Sequence, residues 1–479
     1  MNLKSIFNYI PEVKSPEEKK TSFKSKLKWT LLILVSFFVL ANIPVFGLSE
    51  NALSRFEYLA VILGTEFGSI ISLGIGPIVM ASIILQLLIG SKLLEIDTST
   101  EEGKKFFHGL QKLLTFFFIF FESLIYVVMK GLQASPGFAG IVIFQLILGG
   151  FAIFYMDEVS EKWGFGSGVS LFIGAGISWR LVTSLVQFIN QQGSNCLLDF
   201  KGTACSGKLL VLIQAVINKY PTELVSALAA IIATILIFLV IVWAQSLKIE
   251  IPLSFGRLRG YSMKWPLSFF YTSVIPVILT AALIANIQLF GGIIENAAAS
   301  CMIEGGVCTG IAKFASYFGF LGHFVNGQAV SGFAFWMGHT NLVELMIRGG
   351  LMPIYLFQGL THIIFFVIFS TFFAVMWVKT SDTDAKAQAH KITSSGLHVA
   401  GFRQDERIIE SILERYIMPL TIMGGIAIGL LAAITDLFGA LVSGTAILLV
   451  IMIMFNFYQK IASEHMSDMN PAIRKFVES

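Results

Sequence analysis

Residues 53–94 read LSRFEYLAVILGTEFGSIISLGIGPIVMASIILQLLIGSKLL, and most of this stretch is apolar enough to lie in a lipid bilayer. A broken helix at membrane depth leaves backbone N–H and C=O groups without helical partners, and lipid cannot replace those partners. The segment must therefore be buried in protein or line a water-filled cavity, which indicates a channel or a transporter. Five residues divide it into a half-helix, an irregular turn and a full helix: Gly64, Gly68, Gly74, Gly76 and Pro77.

The composition is that of a membrane protein. Hydrophobic residues make up 55% of the 479 residues and charged residues 13%, whereas a soluble domain carries about 25% charged residues. The net charge of +3 is too small to indicate a nucleic-acid partner. Because neither a G-x-x-x-x-G-K-[ST] nucleotide-binding motif nor a metal-binding motif occurs, the sequence predicts no enzyme activity and no cofactor.

Apolar runs of about 20 residues predict membrane-spanning helices. An even number of spans places both termini on one side, and with that side in the cytosol it carries 25 of the 33 Lys and Arg. This asymmetry is the positive-inside pattern, so we expect both termini in the cytosol. Ten spans are predicted, at residues 29–47, 74–94, 112–130, 139–156, 168–190, 221–246, 267–289, 350–378, 415–435 and 440–460.

The ten spans divide into two sets of five. Because five is odd, a duplicated half would enter the membrane in the opposite orientation, as inverted repeats do. Internal similarity is limited to Ile-Pro-Val at 43–45 and 275–277, which chance explains equally well. We therefore predict an all-α polytopic protein with a cytosolic amphipathic segment 1–28, an N-terminal half 29–190, an outer hinge loop 191–220, a C-terminal half 221–460 and a cytosolic tail 461–479.

The four cysteines fall in two close pairs, and each pair lies in one outer loop of this topology. Two local pairs outside the cytosol indicate two disulfides, Cys196–Cys205 and Cys301–Cys308. The alternative is a metal site, but no C-x-x-C occurs, and the outer-loop His323 and His339 are not at ligand spacing. The sequence therefore favours disulfides and predicts no metal site.

Few polar side chains lie within the predicted spans. Glu122 lies in the middle of the third span, and a carboxylate facing lipid would cost several kcal/mol. It is either a residue of a seam or pore, or a structural hydrogen-bond partner of a neighbouring helix. Gln86 and Asn286 are the other mid-span polar residues, whereas Arg180 lies close enough to the outer surface to reach water.

Two cytosolic loops are longer than a membrane anchor requires. Residues 246–266 alternate like a β-strand around Ile249 and Ile251 and then carry a basic tip, and residues 379–414 are also basic. The positive-inside pattern explains the positive charge of these loops but not their length. Together they predict a docking surface for a large acidic partner such as an RNA-rich particle, because Lys and Arg contact phosphates. The candidate docking residues are Lys248, Arg257, Arg259 and Arg403.

Five longer motifs follow one another along the chain: GIGPIVMASIILQLL at 74–88, GSGVSLFIGAGIS at 166–178, IPVILTAALIANIQLF at 275–290, GFRQDERIIESILERYIMPLT at 401–421 and SGTAILL at 443–449. In this order they resemble the SecY family, the central subunit of the protein-conducting channel. The motif sequences are most similar to those of the archaeal branch of the family.

The resemblance implies two inverted five-helix halves around an hourglass pore, hinged between the fifth and sixth spans. The half-helix at about 53–67 would be the plug that closes the pore from outside, with Leu53, Phe56, Leu59, Ile62 and Leu63 on it. A ring of apolar side chains would close the waist, and motif by motif it falls on Ile75, Val79, Val169, Ile173, Ile278 and Leu449. Leu448 is one place from the last position and stays an alternative.

The resemblance also implies a lateral gate between the second and third spans on one side and the seventh and eighth on the other. The family's polar gate positions match Glu122 and Asn286, with Gln86 nearby. A further position, commonly Thr, is Met80 here, which departs from a full polar cluster. Implied partners are two small single-span subunits, of the SecE or gamma type and of the beta type, a translating ribosome or cytosolic motor, the nascent polypeptide and the lipid bilayer.

The function expected from this resemblance is passage of secretory polypeptides across the cytoplasmic membrane and lateral release of hydrophobic segments into it. Two other classes stay open. A secondary transporter would show convergent polar or ionisable groups at the midplane. A structural scaffold would have no pore.

Overall fold

The chain is described as a computed structural model. It covers residues 11–17, 21–51, 66–90, 93–94, 96, 101–129, 131–188, 195–196, 205–255, 262–270, 272, 274–303, 317, 319–325, 328–381, 383–394, 397–399 and 406–469. These residues are predominantly helical. The helices are α1 Phe23–Ala41, α2 Gly76–Gly90, α3 Glu101–Val128, α4 Ala139–Trp163, α5 Gly168–Val186, α6 Lys208–Asn218, α7 Pro221–Gln245, α8 Ile275–Ile303, α9 Phe333–Met337, α10 Leu342–Ile347, α11 Pro353–Thr380, α12 Ala385–Ser394, α13 Glu406–Leu437 and α14 Gly444–Met469.

Each predicted span has a helix in the structure: α1–α5, α7, α8, α11, α13 and α14. Eight of these ten are long and apolar enough to cross a membrane by length and composition. The other two, α1 and α2, do not meet this criterion, for local reasons. Three lysines lie in the first turns of α1, at 24, 26 and 28, and the glycine-rich break shortens α2 to 15 residues.

The predicted start of the seventh span was wrong. Residues 267–274 are apolar, but the polypeptide up to Ser268 is a β-strand, and α8 begins only at Ile275. The apolar residue Leu267 is buried in a small cytosolic cluster with Ile409 and Leu413. This burial explains why the apolar pattern extends beyond the start of α8 into the preceding strand. Hydropathy alone does not separate a buried strand from the helix that follows it.

Within the described residues, seven short strands form three sheets. Antiparallel pairs β1 Leu48–Asn51 with β2 Leu132–Ala134 and β5 His323–Val325 with β6 Gln328–Ser331 are each two-stranded. The third sheet has the order β4-β3-β7, from β3 Lys248–Phe255, β4 Ser262–Ser268 and β7 Leu397–Val399. The β-like alternation around Ile249 and Ile251 lies in β3, which pairs antiparallel with β4.

One apolar core runs through both halves of the molecule. α8 is its central helix, because 78% of its most apolar stretch is buried. In the other seven helices that are long and apolar enough to cross a membrane, the buried fraction of that stretch is 22–50%. α8 contacts α2, α11, α13 and α14. Side chains on the outer helices, such as Leu236 and Leu239 of α7, are instead exposed, as helices that face lipid require.

Small residues bring α11 and α13 into close contact. A Cβ atom at Gly425 would lie 3.0 Å from the Cα of Thr371, and one at Gly429 would lie 3.0 Å from the Cα of Val367. Because these glycines are one helical turn apart, they form a single smooth stripe against α11. Backbone approach of this kind is how membrane helices associate without a hydrophobic driving force.

Candidate functional site

The break before α2 is enclosed by protein, as the sequence predicted. Gly68 and Gly74 have φ angles of +94° and +54°, in the left-handed region that glycine tolerates. The end of α1 supplies backbone partners: the Val45 amide donates to the Gly68 carbonyl at 2.9 Å, and the Ile70 amide donates to the Ile43 carbonyl at 3.0 Å. The polar groups of this turn are therefore satisfied by the protein itself.

A helix of the same half lies directly against this turn. A Cβ atom at Gly149 of α4 would be only 1.9 Å from the carbonyl oxygen of Ile70 and 2.7 Å from its carbonyl carbon. Only a glycine fits at this point of α4. The close approach fixes the depth of the turn that leads into α2.

The six residues proposed for the apolar ring all belong to the main apolar core or pack against it. Val169 is partly buried against this cluster, and the other five are at most 5% exposed. The alternative Leu448 is also buried in the cluster, so burial does not choose between it and its neighbour. The five buried residues are Ile75, Val79, Ile173, Ile278 and Leu449.

Helix contacts connect the elements that carry these residues. α2 contacts α8, α8 contacts α14, and α14 contacts α5. The α5–α14 contact is close, because a Cβ atom at Gly174 would lie 3.2 Å from Cγ2 of Ile453. Ile173 is adjacent to that glycine, and Leu449 is one turn before Ile453, so the two helices that carry these residues pack against each other.

Glu122 is fully buried in α3, and its carboxylate faces α2. A Cβ atom at Gly76 would lie 3.1 Å from Oε2 of Glu122. Neither carboxylate oxygen has a hydrogen-bond partner within the part of the chain that the structure describes. The structural hydrogen bond that was the alternative role of Glu122 is therefore not made in this conformation, and a buried polar group without a partner is costly.

The other gate candidates are also enclosed. Asn286 is 2% exposed, and its Nδ2 donates to the Ala282 carbonyl of its own helix at 2.9 Å. Gln86 is 2% exposed, and its Oε1 has no hydrogen-bond partner among the described residues. Met80 is partly buried against the core. α2 contacts α3 and α8, the helices that carry Glu122 and Asn286, and it also contacts α11.

The two long cytosolic loops are joined in a way that the sequence did not predict. β7, from the second loop, pairs antiparallel with β3 of the first, with Leu253 opposite Val399 and Phe255 opposite Leu397. Lys248 begins β3 and is exposed. The sequence shows the alternation of a β-strand in the first loop only, because a three-residue strand such as β7 is too short to show a period.

Several predicted residues lie outside the described part of the chain. These are the five plug residues Leu53, Phe56, Leu59, Ile62 and Leu63, the docking residues Arg257, Arg259 and Arg403, and Cys308. The sequence places Arg257 and Arg259 between β3 and β4, and Arg403 between β7 and α13.

One disulfide joins two cysteines of the outer connection between the halves. Cys196 and Cys205 are bonded, with their Cα atoms 5.4 Å apart, and both are buried. This is one of the two pairs proposed from the sequence. Cys205 is followed closely by α6, an 11-residue helix that packs against α5 and α7. Cys301 lies in the last turn of α8.

An ion cluster on the cytosolic side was not predicted. The Nζ of Lys162 donates to Oε1 of Glu12 at 2.6 Å, and this hydrogen bond holds the pKa of Glu12 below its ordinary value. Lys112 pairs with Glu158, and Oε2 of Glu158 also accepts from the Val13 amide at 3.1 Å. The segment before α1 is thus fixed against α3 and α4.

A second unpredicted cluster lies at the outer end of the C-terminal half. His339, His362 and Asp436 come from three separate elements, and one donor atom from each lies within 4.8 Å of the other two. The spacing of these residues along the chain gives no signal, which is why the expectation of no metal site did not consider them together.

Comparison with known proteins identifies the family. The SecY family model matches residues 69–458, which include the turn into α2, the six residues proposed for the apolar ring and the cytosolic sheet. The protein translocase subunit SecY of Methanothermobacter thermautotrophicus is 39% identical over 98% of this chain and 97% of its own length.

Solved structures agree. A structure described as a protein conducting channel superposes with a TM-score of 0.80 at 34% identity and covers 99% of both chains. The Sec61 channel of a canine ribosome-channel complex from the endoplasmic reticulum gives a TM-score of 0.76 at 34% identity, again over 99% of both chains. With the broken second helix, the two sets of five spans and the aliphatic cluster between them, these similarities show that the chain belongs to the SecY family.

Proposed function

We propose that this chain is the pore-forming subunit of a protein translocation channel in the cytoplasmic membrane. It passes secretory polypeptides across the membrane and releases hydrophobic segments laterally into lipid. The observation that carries this proposal is the buried cluster of aliphatic side chains that both halves contribute beside the broken helix. The M. thermautotrophicus relative is named as a protein translocase subunit, which supports the same function.

The aliphatic cluster suits a pore that must accept any polypeptide. Ile75, Val79, Ile173 and Ile278 carry no polar group that would hold a passing chain. A narrow constriction of such side chains excludes water when empty, so it closes to ions by dewetting. Branched aliphatic side chains also fit around residues of different sizes, which a fixed polar filter would not allow.

Lateral release follows from partition between pore and lipid. Leu, Ile and Phe gain about 0.3–0.6 kcal/mol each at the bilayer centre, whereas Asp, Lys and Arg cost about 2.5–3.5 kcal/mol. A slit with α2 and α3 on one side and α8 and α11 on the other would allow a passing segment to partition between the pore and the lipid. The buried polar groups of Glu122, Gln86 and Asn286 beside this slit weaken its apolar packing and favour its opening.

The sheet formed by β3, β4 and β7 is the proposed docking surface for a ribosome or a cytosolic motor. It joins the two basic cytosolic loops into one element, so residues from both would meet the partner together. The canine relative was solved in a ribosome-channel complex, which supports a ribosome as partner. Two small single-span subunits, of the SecE or gamma type and of the beta type, would complete the channel.

The transporter alternative has less support. A transporter binds its substrate through converging polar or ionisable groups at the midplane. The described residues around the break are instead predominantly aliphatic, and Glu122 has no cationic partner among them.

Site-specific crosslinking to a stalled secretory chain tests the proposal. A photoreactive residue at Ile278 should crosslink to a nascent polypeptide stalled during translocation. The matched control is a photoreactive residue at Leu239, which is 57% exposed on α7 and faces away from the core. Crosslinks from Ile278 but not from Leu239 are expected. Equal labelling from both positions, or none from Ile278, would show that the polypeptide does not pass through this cluster.

A further inference from the structure

We propose that His339, His362 and Asp436 form a binding site for one divalent transition-metal ion of the zinc class, at the outer end of the C-terminal half. His362 lies in α11, Asp436 at the end of α13, and His339 in the connection between α9 and α10. Two imidazoles and a carboxylate are a common ligand set for such ions. The proposal does not depend on the proposed channel function.

The hydrogen bonding of His362 leaves one ring nitrogen facing the cluster. Nδ1 of His362 is 2.8 Å from the Met337 carbonyl oxygen, which accepts hydrogen bonds and cannot donate them. Nδ1 must therefore carry a proton, and in the neutral ring Nε2 carries the lone pair. Nε2 is fully buried and has no hydrogen-bond partner among the described residues. A histidine whose other nitrogen donates to a carbonyl is the arrangement typical of metal ligands.

The distance from His362 to Asp436 fits a bridging ion better than a direct bond. Nε2 lies 3.4 Å from Oδ2 of Asp436, with both side chains at most 3% exposed. A charge-assisted hydrogen bond would be about 2.7–2.9 Å long. Two ligands held at about 2.0–2.1 Å in a tetrahedral site are separated by about 3.3 Å. A lone pair facing a carboxylate at this distance needs a positive centre between them.

Asp436 is itself held in place by a second set of contacts. The Thr445 amide donates to Oδ1 of Asp436 at 2.6 Å, and the Thr445 hydroxyl donates to Oδ2. These bonds fix the carboxylate at the start of α14, as the outer partners of metal ligands do. A bound ion would therefore tie α11, α13, α14 and the α9–α10 connection together.

The site has room for a further ligand. His339 and Asp436 line a cavity of about 680 Å³, whose wall also includes Gln288, Thr340 and Gln358. Three protein ligands plus a water molecule from this cavity would complete four-coordination. The alternative is a doubly protonated His362 in an ion pair with Asp436, which requires no metal.

Metal titration of the purified channel complex distinguishes these two states. The full chain, without a histidine tag and stripped with chelator, is titrated with Zn²⁺ by calorimetry, and with Co²⁺ to follow the visible absorption of a four-coordinate ion. One equivalent should bind, and His362→Gln should weaken binding at least about 100-fold, because loss of an outer partner alone costs about 10–100-fold. Thr445→Val, which removes such an outer partner, should show the smaller effect.

The matched control is His323→Gln, which changes another histidine of the outer side. His323 is exposed and pairs with Glu295 at 3.0 Å, and it is not one of the three residues of the cluster. This variant should bind Zn²⁺ as the unmodified chain does. Absence of stoichiometric binding in the unmodified chain, or unchanged binding in His362→Gln, would overturn the proposal in favour of the ion pair. If His362→Gln does not fold, the four-coordinate Co²⁺ spectrum of the unmodified chain and its loss in His339→Asn decide the question.

Discussion

Gly149 of α4 lies directly against the carbonyl oxygen of Ile70, in the turn that leads into the broken second helix. This contact couples the position of a whole membrane helix to the one irregular segment beside the aliphatic cluster. A side chain at residue 149 would have to displace backbone rather than another side chain, and backbone within a packed core cannot move independently.

We expect Gly149→Ala to destabilise the protein by about 3 kcal/mol or more, at the upper end of the range for overpacked cores. Gly140→Ala is the control in the same helix, because a Cβ atom there has no neighbour within 4 Å. That control should be neutral or stabilising by up to about 1 kcal/mol, since alanine favours helix over glycine. Thermal unfolding in detergent measures both variants, and equal midpoints would contradict the contact.

The seal formed by the aliphatic cluster gives a second prediction. Replacing Ile278 or Val79 with Ser should wet the constriction and raise the resting ion conductance, because water enters a pore once its walls carry polar groups. Planar-bilayer recordings should be made with residues 53–67 deleted, so that the plug does not mask the leak. Ile232→Ser on the exposed face of α7 should have no such effect. If the resting ion conductance of the Ile278 variant equals that of this control, the constriction lies elsewhere.

Reversal of charge on the cytosolic sheet should weaken docking. In the double variant Arg257→Glu and Arg259→Glu, ribosome affinity should fall, and its logarithmic dependence on salt should become shallower by roughly 1–2, because fewer counterions are released. Co-sedimentation across a salt series measures both quantities. Lys219→Glu, an exposed charge on the outer side, is the control and should change neither. Unchanged affinity in the double variant would remove these residues from the docking surface.

The unpartnered carboxylate of Glu122 predicts a role in the lateral gate. Replacing both Glu122 and Asn286 with Leu should strengthen the packing around α2. The hydrophobicity that a segment needs for insertion should then rise. A series of test segments with increasing leucine content reads out this threshold. Ser36→Leu on the exposed face of α1 is the control. A threshold that stays constant would show that neither residue controls the opening of the gate.

The cysteine pairs are open to direct chemical mapping. Peptide mass mapping without reductant should recover Cys196 linked to Cys205 and Cys301 linked to Cys308. Cys196→Ser with Cys205→Ser should cost at most about 2–3 kcal/mol, because a short loop restricts the unfolded chain less than a long one. Four alkylatable thiols, or a Cys205–Cys301 link, would refute this pairing.

The sequence by itself determined where the chain crosses the membrane, which way it faces and where the second helix breaks. Those properties depend on the local transfer of residues between water and lipid, and they add up along consecutive positions such as 74–88. It also predicted the β-like character of the chain around Ile249 and Ile251, because alternation is a local pattern. The seventh span shows the limit of such patterns, since hydropathy did not separate Leu267, at the end of β4, from the start of α8.

Only the tertiary structure decided which distant residues meet. The contact of Gly149 with Ile70, the pairing of β7 with β3 and the cluster of His339, His362 and Asp436 each join elements far apart in the chain. No local pattern encodes such contacts, because each depends on how whole helices pack against one another. The same holds for Glu122: its sequence position showed that it lies within a span, and only helix packing buried its carboxylate against α2, where no described residue hydrogen-bonds to it.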